Sequence, residues 1–398
     1  MRTSPAPYRK IAAHFALAAA VVLALAFGVL NAAAQSGRDA TLAPRTNHGK
    51  PFKIGYLETR PFVNYAATLA NLVDALKDTG WLKTTETVPY QPQQTDARVI
   101  WNWLSAQKNE PFVEFVKDGF YTYDGLQGAE VKAASAKLID RLKTKSDIDL
   151  MLVMGTDAGV ALAVDDHQTP AIVMSTSNAV EAGIVKSAGY SKRDHVWAHM
   201  DPLRYRRQID IFYDVFRFKK LGVVYDDDLA GRTFAAIQDL EAAAAVKGFE
   251  IVREYVKQPQ KYGERKEAFY RDLEAAHARL AASSDAVYFG LFIGIDAKRL
   301  PAIFAPLSKS GIPVFAQQAT DVRDGALLSL ARVDFKGVGR FNAEAMARAL
   351  NGVPLSKIPQ IYENSPNIIM NLEVATRIGF RPRFELLLVA DELIAKIR

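Results

Sequence analysis

Short runs of apolar residues alternate along this chain with longer segments in which apolar residues recur every three or four positions. The runs have the length and composition of buried strands, and the longer segments have the spacing of one helical face. In the first half, the predicted strands are 52–57, 148–154 and 171–174, and the predicted helices are 69–76 and 158–164. Alternation of this kind favours a parallel sheet covered by helices.

The same alternation starts again after Trp197. Its predicted elements are the helix 203–216, the strand 221–225, a helix ending at Val246, the strand 249–255, the helix 268–282 and the strand 286–291. The sequence therefore predicts an α/β protein with two doubly wound parallel-sheet lobes. In both halves, Gly, Ser, Thr, Asp and Asn follow the strands, at the ends where open α/β sheets bind ligands.

The last quarter of the chain has an order of elements that indicates crossings between two lobes. Its predicted elements are the strands 313–316 and 326–330, a helix at 338–350 that stops at Asn351-Gly352, an apolar run at 367–372 and a final helix at 384–397. We expect Gly325 and Pro359 to lie in segments that connect the lobes.

One segment departs from the alternation. Residues 95–128 contain seven of the chain's forty aromatic residues, namely Trp101, Trp103, Phe112, Phe115, Phe120, Tyr121 and Tyr123. One interpretation is an aromatic flap over a ligand or partner site. The other is an inserted helical hairpin whose aromatic side chains pack on the lobe.

The first residues predict export from the cytoplasm. Three basic residues within the first ten precede an uncharged run from Ile11 to Ala34, which ends in three alanines. This is the pattern of a signal peptide over residues 1–34, cleaved after Ala34. The run also approaches the length of a bilayer span, about 20 residues, so an uncleaved anchor is the alternative. The polar residues 35–50 predict a flexible leader.

The chain has no cysteine among its 398 residues. An exported domain of this kind must be held together by its core, without disulfides. A lipoprotein anchor, a thiolate metal site and a cysteine nucleophile are also excluded. We therefore expect a periplasmic protein that is not a lipoprotein.

Charge gives no indication of a nucleic-acid partner. The formal net charge is +6, and residues 1–34 contribute three positive charges and no negative ones. The remaining chain carries only +3, which is too little for an electrostatic nucleic-acid surface.

Motifs for catalysis, cofactors and metals are missing from the sequence. There is no Gly-x-Ser-x-Gly, no HExxH, no phosphate-loop lysine motif and no three-glycine dinucleotide pattern. His195 and His199 have the spacing of a metal pair on a helix, but Val196-Trp197-Ala198 between them predicts a strand. We expect no enzyme activity, no cofactor and no metal.

Several segments resemble a known family in their order and spacing. In the first half they are Gly155-Thr156-Asp157-Ala158-Gly159, 170–177 and 182–185; in the second half they are 220–226, 312–316, 324–327, 338–339 and 371–391. Over roughly residues 50–398, the chain resembles the type I periplasmic solute-binding proteins of ABC transporters. It is most similar to the branch that includes tryptophan- and other aromatic amino-acid-binding components. Segment 95–128 is longer than expected in that branch.

The resemblance implies the periplasmic binding protein type I fold, with two lobes joined by a three-segment hinge that close on a ligand. The implied N-terminal lobe is 51–200 plus 325–358, and the implied C-terminal lobe is 201–324 plus 359–398. The implied function is that of a monomeric extracytoplasmic receptor that delivers a small solute, such as an amino acid or related compound, to ABC permease subunits. The alternatives are a ligand-sensing module that signals to a partner sensor protein and an exported hydrolase.

The candidate ligand-binding residues follow from their positions after strands. A ligand carboxylate needs hydrogen-bond donors, which backbone N–H groups at a helix N-terminus and Ser or Thr hydroxyls supply. The candidate positions, where strands lead into helices, are Thr156 with Asp157, and Ser175, Thr176 and Ser177 with Asn178. These residues could equally be helix caps and turn residues.

An ammonium group would need a carboxylate. The candidates are Glu58, Asp226 with Asp227, and Asp321, although the aspartates at 226–228 could form a solvated turn. Tyr56, Tyr225 and Phe289 could sandwich a ring, or could simply pack in the core. Gln317 belongs to the segment 317–321, the one part of the C-terminal quarter that we expect at the ligand.

Overall fold

The computed structural model describes residues 39–397 apart from 109, 259–265, 293–294, 331–333 and 364–366. The predicted signal peptide, residues 1–34, lies outside these residues. None of the helices in the described ranges is long and apolar enough to cross a bilayer.

The described strands form two sheets. They are β1 (Phe52–Glu58), β2 (Val113–Thr122), β3 (Leu150–Met154), β4 (Ala171–Met174), β5 (Val196–Ala198), β6 (Lys220–Tyr225), β7 (Glu250–Tyr255), β8 (Ala286–Phe289), β9 (Val314–Ala316), β10 (Leu328–Leu330), β11 (Ile368–Asn371) and β12 (Ala390–Ile394). The first sheet has the order β2-β1-β3-β4-β5, and the second has the order β12-β11-β10-β9-β8-β6-β7.

Helices cover these sheets. In chain order they are α1 (Val63–Asp78), α2 (Arg98–Ala106), α3 (Ala129–Thr144), α4 (Thr156–Leu162), α5 (Arg204–Phe216), α6 (Leu229–Phe234), α7 (Ile237–Lys247), α8 (Lys266–Ser283), α9 (Leu300–Lys309), α10 (Ala319–Arg323), α11 (Phe335–Leu350), α12 (Leu372–Arg377) and α13 (Phe384–Leu388).

The strand pairing confirms the predicted fold class. All pairs in the first sheet are parallel, and in the second sheet only β10 and β11 pair in antiparallel fashion. Every residue of β3 and of β4 is buried. Continuous apolar runs form these strands because helices cover both faces of a parallel sheet.

Helix α11 leaves the second sheet and packs against α1 of the first lobe. Gly339 permits this close contact. A β-carbon at Gly339 would lie 2.5 Å from the carbonyl carbon of Asn71 on α1.

The chain enters the first lobe later than predicted. Residues 325–330 were expected there, but Leu328 pairs with Phe315 on β9 and with Met370 on β11. Gly325, at a φ of +119°, turns the chain so that the apolar run that follows it joins the second sheet. The crossing therefore begins after Leu330, and Gly325 is an ordinary turn residue within the second lobe.

The predicted final helix, 384–397, is wrong beyond its first turns. Helix α13 ends at Leu388, and Ala390–Ile394 forms the strand β12, parallel to β11. The apolar pattern at the end of the chain is compatible with both structures, and pairing with the free edge of β11 selects the strand.

The described part of the predicted leader is ordered. The side-chain amide of Asn351 donates to the carbonyl oxygens of Thr41 and Ala43, at 2.9 and 3.1 Å. Arg348 forms an ion pair with Asp39 at 2.6 Å. Residues 39–43 thus rest on the end of α11, which the polar composition of this segment did not indicate.

The aromatic segment belongs to the core of the first lobe. It forms helix α2 and strand β2, so the predicted helical hairpin is wrong. Its rings nevertheless pack inward: Trp101 is fully buried, and Phe120 stacks on Tyr56 with ring centroids 4.8 Å apart. A flap over the ligand site is therefore not what this segment forms.

Two of the connections between the lobes lie side by side. The Met200 amide donates to the Gln360 carbonyl at 2.8 Å, and the Tyr362 amide donates to the Met200 carbonyl at 2.9 Å. The third connection runs from β10 to α11. Together they form the expected three-segment hinge.

Candidate functional site

A cavity of about 450 Å³ lies between the two lobes. From the first lobe it is lined by the start of α1, by residues 175–180 after β4 and by 199–200 after β5. The crossing and the second lobe contribute Asp201, Pro202, Arg204, Tyr205, Gln238, Asp239, Ala242, Leu291, Gln317 and Gln318, and the start of α11 contributes Phe335 and Val338. The cavity thus meets the carboxyl ends of strands from both sheets, and its volume is typical of small-molecule sites.

The loop after β4 brings together three of the predicted residues. Ser175, Thr176 and Ser177 all line the cavity and are partly exposed. Ser175 adopts a left-handed backbone with φ of 55°, and its Oγ lies 3.1 Å from Oγ1 of Thr68 on α1. Asn178 accepts hydrogen bonds from the amides of Val180 and Glu181, so it holds the loop in shape.

Thr156 and Asp157 lie beside the main cavity. They line a narrow neighbouring space of about 30 Å³, which also touches Ser175 and Ser177. The Thr156 Oγ1 accepts a hydrogen bond from the Ser177 amide at 3.3 Å. Burial raises the pKa of Asp157, and nearby Arg60 partly offsets this effect. Thr156 therefore supports the loop that lines the main cavity.

Charged side chains reach the cavity from the second lobe and from the crossing that leads into it. Asp201 forms an ion pair with Arg207. The guanidinium of Arg204 lies over the Tyr205 ring, 5.4 Å from its centroid. Asp239 lies on α7, and burial raises its pKa to about 6.

Two buried polar atoms of the cavity wall have no hydrogen-bond partner among the described residues. They are Nε2 of His199, after β5, and Nε2 of Gln317, after β9. Burial lowers the pKa of His199 to about 4, so its ring is neutral at pH 7. A ligand in the cavity would offer these two atoms a hydrogen-bond partner.

Two predicted residues on β1 face the interior of the first lobe. The Tyr56 hydroxyl donates to Oε2 of Glu58 at 2.9 Å, and neither residue lines the main cavity. Burial raises the pKa of Glu58 to about 7. The end of β1 turns this pair towards the aromatic cluster around Trp101.

The remaining predicted residues of the second lobe, apart from Gln317, also lie outside the cavity. Asp226 accepts from Nζ of Lys257 at 2.8 Å and from the Gln258 amide at 3.0 Å. Tyr225 packs against Tyr255, with ring centroids 5.2 Å apart.

Phe289 and Asp321 are enclosed within the second lobe. Phe289 packs edge-on against Phe304, with ring centroids 4.8 Å apart. Asp321 is 5% exposed, and burial raises its pKa to about 7. None of the carboxylates predicted to bind a ligand ammonium reaches the main cavity. Asp239, which was not among them, does line it.

Sequence reasoning missed several cavity residues, among them Phe62, Asn64, Thr68, His199, Arg204, Tyr205 and Asp239. His199 follows β5, so its position after a strand could have identified it. Asp239 lies within a helix, and no pattern in the sequence distinguishes it from other acidic residues on helices.

No group of three or more potential metal ligands occurs among the residues the structure describes. The strand β5 separates His195 from His199, as the sequence predicted. His195 Nε2 lies 2.8 Å from the Val164 carbonyl oxygen, so this ring is engaged with the backbone.

Comparison with protein families gives one match. The model of a family described as ABC transporter substrate binding protein matches residues 114–394. No curated protein matches the chain.

Solved structures resemble the chain over most of its length. A conserved domain protein from Vibrio cholerae has a TM-score of 0.62 and 18% identity, covering 86% of this chain and 100% of that one. An ABC domain in complex with L-Trp from Streptococcus pneumoniae has a TM-score of 0.62 and 16% identity, with coverages of 87% and 100%. A ligand-free, open substrate binding protein with adhesive properties from Clostridium difficile has a TM-score of 0.58 and 17% identity, with coverages of 87% and 100%. At these identities, the likeness establishes the fold.

Proposed function

The chain belongs to the ABC transporter substrate-binding protein family, and from this membership we propose that it is an extracytoplasmic receptor that presents a small solute to the permease subunits of an ABC transporter. The observation that carries the proposal is the cavity of about 450 Å³, whose walls come from both lobes. The family is one of binding proteins and not an enzyme class, and we propose that the chain acts without catalysis.

An amino acid or a related compound is the solute class that we propose. Phe62, Tyr205 and Phe335 supply aromatic surface to the cavity wall, which suits a ring or another apolar side chain. The structural neighbour from Streptococcus pneumoniae was solved with L-Trp. Aromatic amino acids are therefore the first compounds to test.

The carboxylate of such a solute would find donors on both walls. Ser175, Thr176 and Ser177 offer hydroxyl groups from the first lobe, and Arg204 offers a guanidinium from the second. Thr156, which holds Ser177, has a supporting role in this arrangement.

Binding and closure would be linked. Because each lobe supplies only part of the wall, a solute makes its full set of contacts when the lobes meet. A ligand shifts the equilibrium between two conformations by its difference in affinity for them. The hinge of three segments is suited to this kind of domain closure.

The predicted signal peptide supports a periplasmic location. Export would bring the mature chain to the side of the membrane from which an importer collects its solute. We propose that the mature chain works there as a monomer, with the permease as its macromolecular partner.

Native mass spectrometry of mature protein purified without refolding tests the receptor function. We expect a bound small molecule, or a rise in melting temperature with at least one member of a panel of amino acids, peptides, sugars and nucleosides. A ligand that binds only the folded state raises the melting temperature, and the rise grows with the logarithm of the ligand concentration above its dissociation constant. Protein that carries no ligand and responds to no member of the panel would contradict the proposal.

A further inference from the structure

The charge of the main cavity is distributed unevenly between its walls. The first lobe contributes hydroxyl and amide side chains together with His199, which is neutral at pH 7. Arg204 and Asp239 belong to the second lobe, and Asp201, in the crossing, is already paired with Arg207. Charge recognition in this cavity therefore depends on Arg204 and Asp239.

Asp239 is a carboxylate without a direct partner. Among the residues that the structure describes, no hydrogen bond or ion pair reaches its side chain. Arg206 is near enough to lower the pKa of Asp239, but its guanidinium binds Asp210 at 3.2 Å. Burial outweighs the influence of Arg206 and raises the pKa of Asp239. A partly buried carboxylate of this kind is stabilised by an added cation.

A second carboxylate approaches Asp239 from the other lobe. Glu181, in the loop after β4, is close enough to raise the pKa of Asp239 further. Glu181 itself interacts with Thr233 and Arg232 at the end of α6 in the second lobe. Glu181 thus adds negative charge near Asp239, and Arg232 offsets part of it.

Gln317 adds a hydrogen-bond donor to the cavity wall. Its side chain lines the cavity and is only 4% exposed, yet its Nε2 has no hydrogen-bond partner among the described residues. A buried amide left without a partner costs roughly 1 to 3 kcal/mol. A solute with an acceptor near Gln317 would remove this cost.

We propose that Asp239, which lines the cavity, binds a cationic nitrogen of the solute. The solute is then a compound with a protonated amine or a guanidinium. The inference rests on the proposed receptor function, since it concerns the same cavity.

Calorimetric titration of the mature protein with four charge classes tests the inference from the side of the solute. The classes are zwitterionic amino acids, amines and guanidines, carboxylic acids without nitrogen, and neutral sugars and nucleosides. We expect every compound that binds to carry a cationic nitrogen. The best binder should lose about 10- to 100-fold in affinity when hydrogen replaces its amine, the range typical of a charged hydrogen bond.

Matched variants test the inference from the side of the protein. Asp239→Asn keeps the shape of the side chain and should weaken the best binder by about 10- to 100-fold. The analogue without the amine should bind Asp239→Asn and wild type with affinities within about twofold of each other, because it cannot form the interaction with Asp239 in either protein. Asp272→Asn, at an exposed position on α8, should leave the affinity unchanged. Melting temperatures identify any variant that has failed to fold, and the solute series does not depend on the variants.

The outcomes separate this inference from the receptor function. A neutral or purely anionic best binder, or unchanged affinity in Asp239→Asn, would overturn the cation site and leave the receptor function standing. Failure of all four classes to bind would count against both.

Discussion

The Tyr362 hydroxyl donates a hydrogen bond to Oδ2 of Asp334 at 2.8 Å, and this contact joins two of the segments that connect the lobes. Tyr362 follows the segment that pairs with Met200, and Asp334 caps the first turn of α11 through the Gly337 amide at 2.9 Å. Tyr362 also lies 5.4 Å from the Phe341 ring, centroid to centroid. The hinge is thus held by side chains as well as by backbone pairing.

Tyr362→Phe should loosen the hinge. The variant keeps the contact with the Phe341 ring and removes the hydrogen bond to Asp334. Because this hydrogen bond is exposed to solvent, we expect the free energy of unfolding to fall by about 1 kcal/mol or less. The range of lobe orientations should widen. Since the natural chain has no cysteine, spin labels at Lys132→Cys and Arg271→Cys would report the distance distribution between the lobes. Tyr190→Phe in the first lobe is the matched control, and identical distributions in both variants would contradict this role.

Gly339→Ala should destabilise the first lobe. The added methyl group would lie 2.5 Å from backbone atoms of Asn71, so α11 and α1 would have to separate. Overpacking of this kind costs about 1 to 3 kcal/mol. Gly189→Ala is the control, because a β-carbon there meets nothing within 4 Å. Chemical denaturation measures both variants, and equal midpoints would show that the helix pair tolerates the methyl group.

Most strands of both lobes could be predicted from the sequence because a buried parallel strand is a continuous apolar run. Strand β2 could not, because exposed polar residues such as Glu114 and Lys117 interrupt it. β12 could not be predicted, because its residues are compatible with helix and strand, and the choice depends on the distant β11. Polar residues after strands are a good guide to the cavity where the strand end is open, as at Ser175–Ser177. The same rule fails at Glu58, whose side chain turns inward to Tyr56.

Asp239 illustrates a different limit. Its position on α7 brings it into the cavity only because the two lobes approach each other there, and local periodicity contains no information about that approach. The like charge of Glu181 is 58 positions away in the sequence and belongs to the other lobe. Such a pair is recognised only after both lobes have been assembled.

Thr176→Ala and Thr156→Ala should differ in effect, although the sequence alone gives both residues the same role. Thr176 lines the main cavity, so loss of its hydroxyl should weaken solute binding by about 1 to 3 kcal/mol with little change in stability. Thr156 accepts from the Ser177 amide, so its loss should lower the melting temperature and affect binding less. Calorimetric titration and thermal unfolding of both variants distinguish the two roles. The reverse ranking would assign direct ligand contact to Thr156.

Glu58→Gln should stabilise the protein more at pH 8 than at pH 5. Burial raises the pKa of Glu58 from 4.5 to about 7, and hydrogen bonds from Tyr56 and Thr122 only partly oppose this. Between pH 4.5 and about 7, Glu58 keeps its proton in the folded state but has lost it in the unfolded state. The free energy of unfolding therefore falls as pH rises through this window. The full loss of unfolding free energy is on the order of 3 kcal/mol, and the uncharged glutamine side chain avoids this loss.

Thermal unfolding of the wild type and of Glu58→Gln at pH 5, 6, 7 and 8 measures this difference. His199 and His277, whose pKa values burial lowers to about 4, make stability rise with pH over the range up to about 6.5. Both proteins contain these histidines, so their contribution cancels when the two are compared. Glu114→Gln, at an exposed position on β2, should show no dependence on pH relative to wild type. A constant offset between Glu58→Gln and wild type at all four pH values would mean that Glu58 is ionised throughout, with its buried charge compensated within the first lobe.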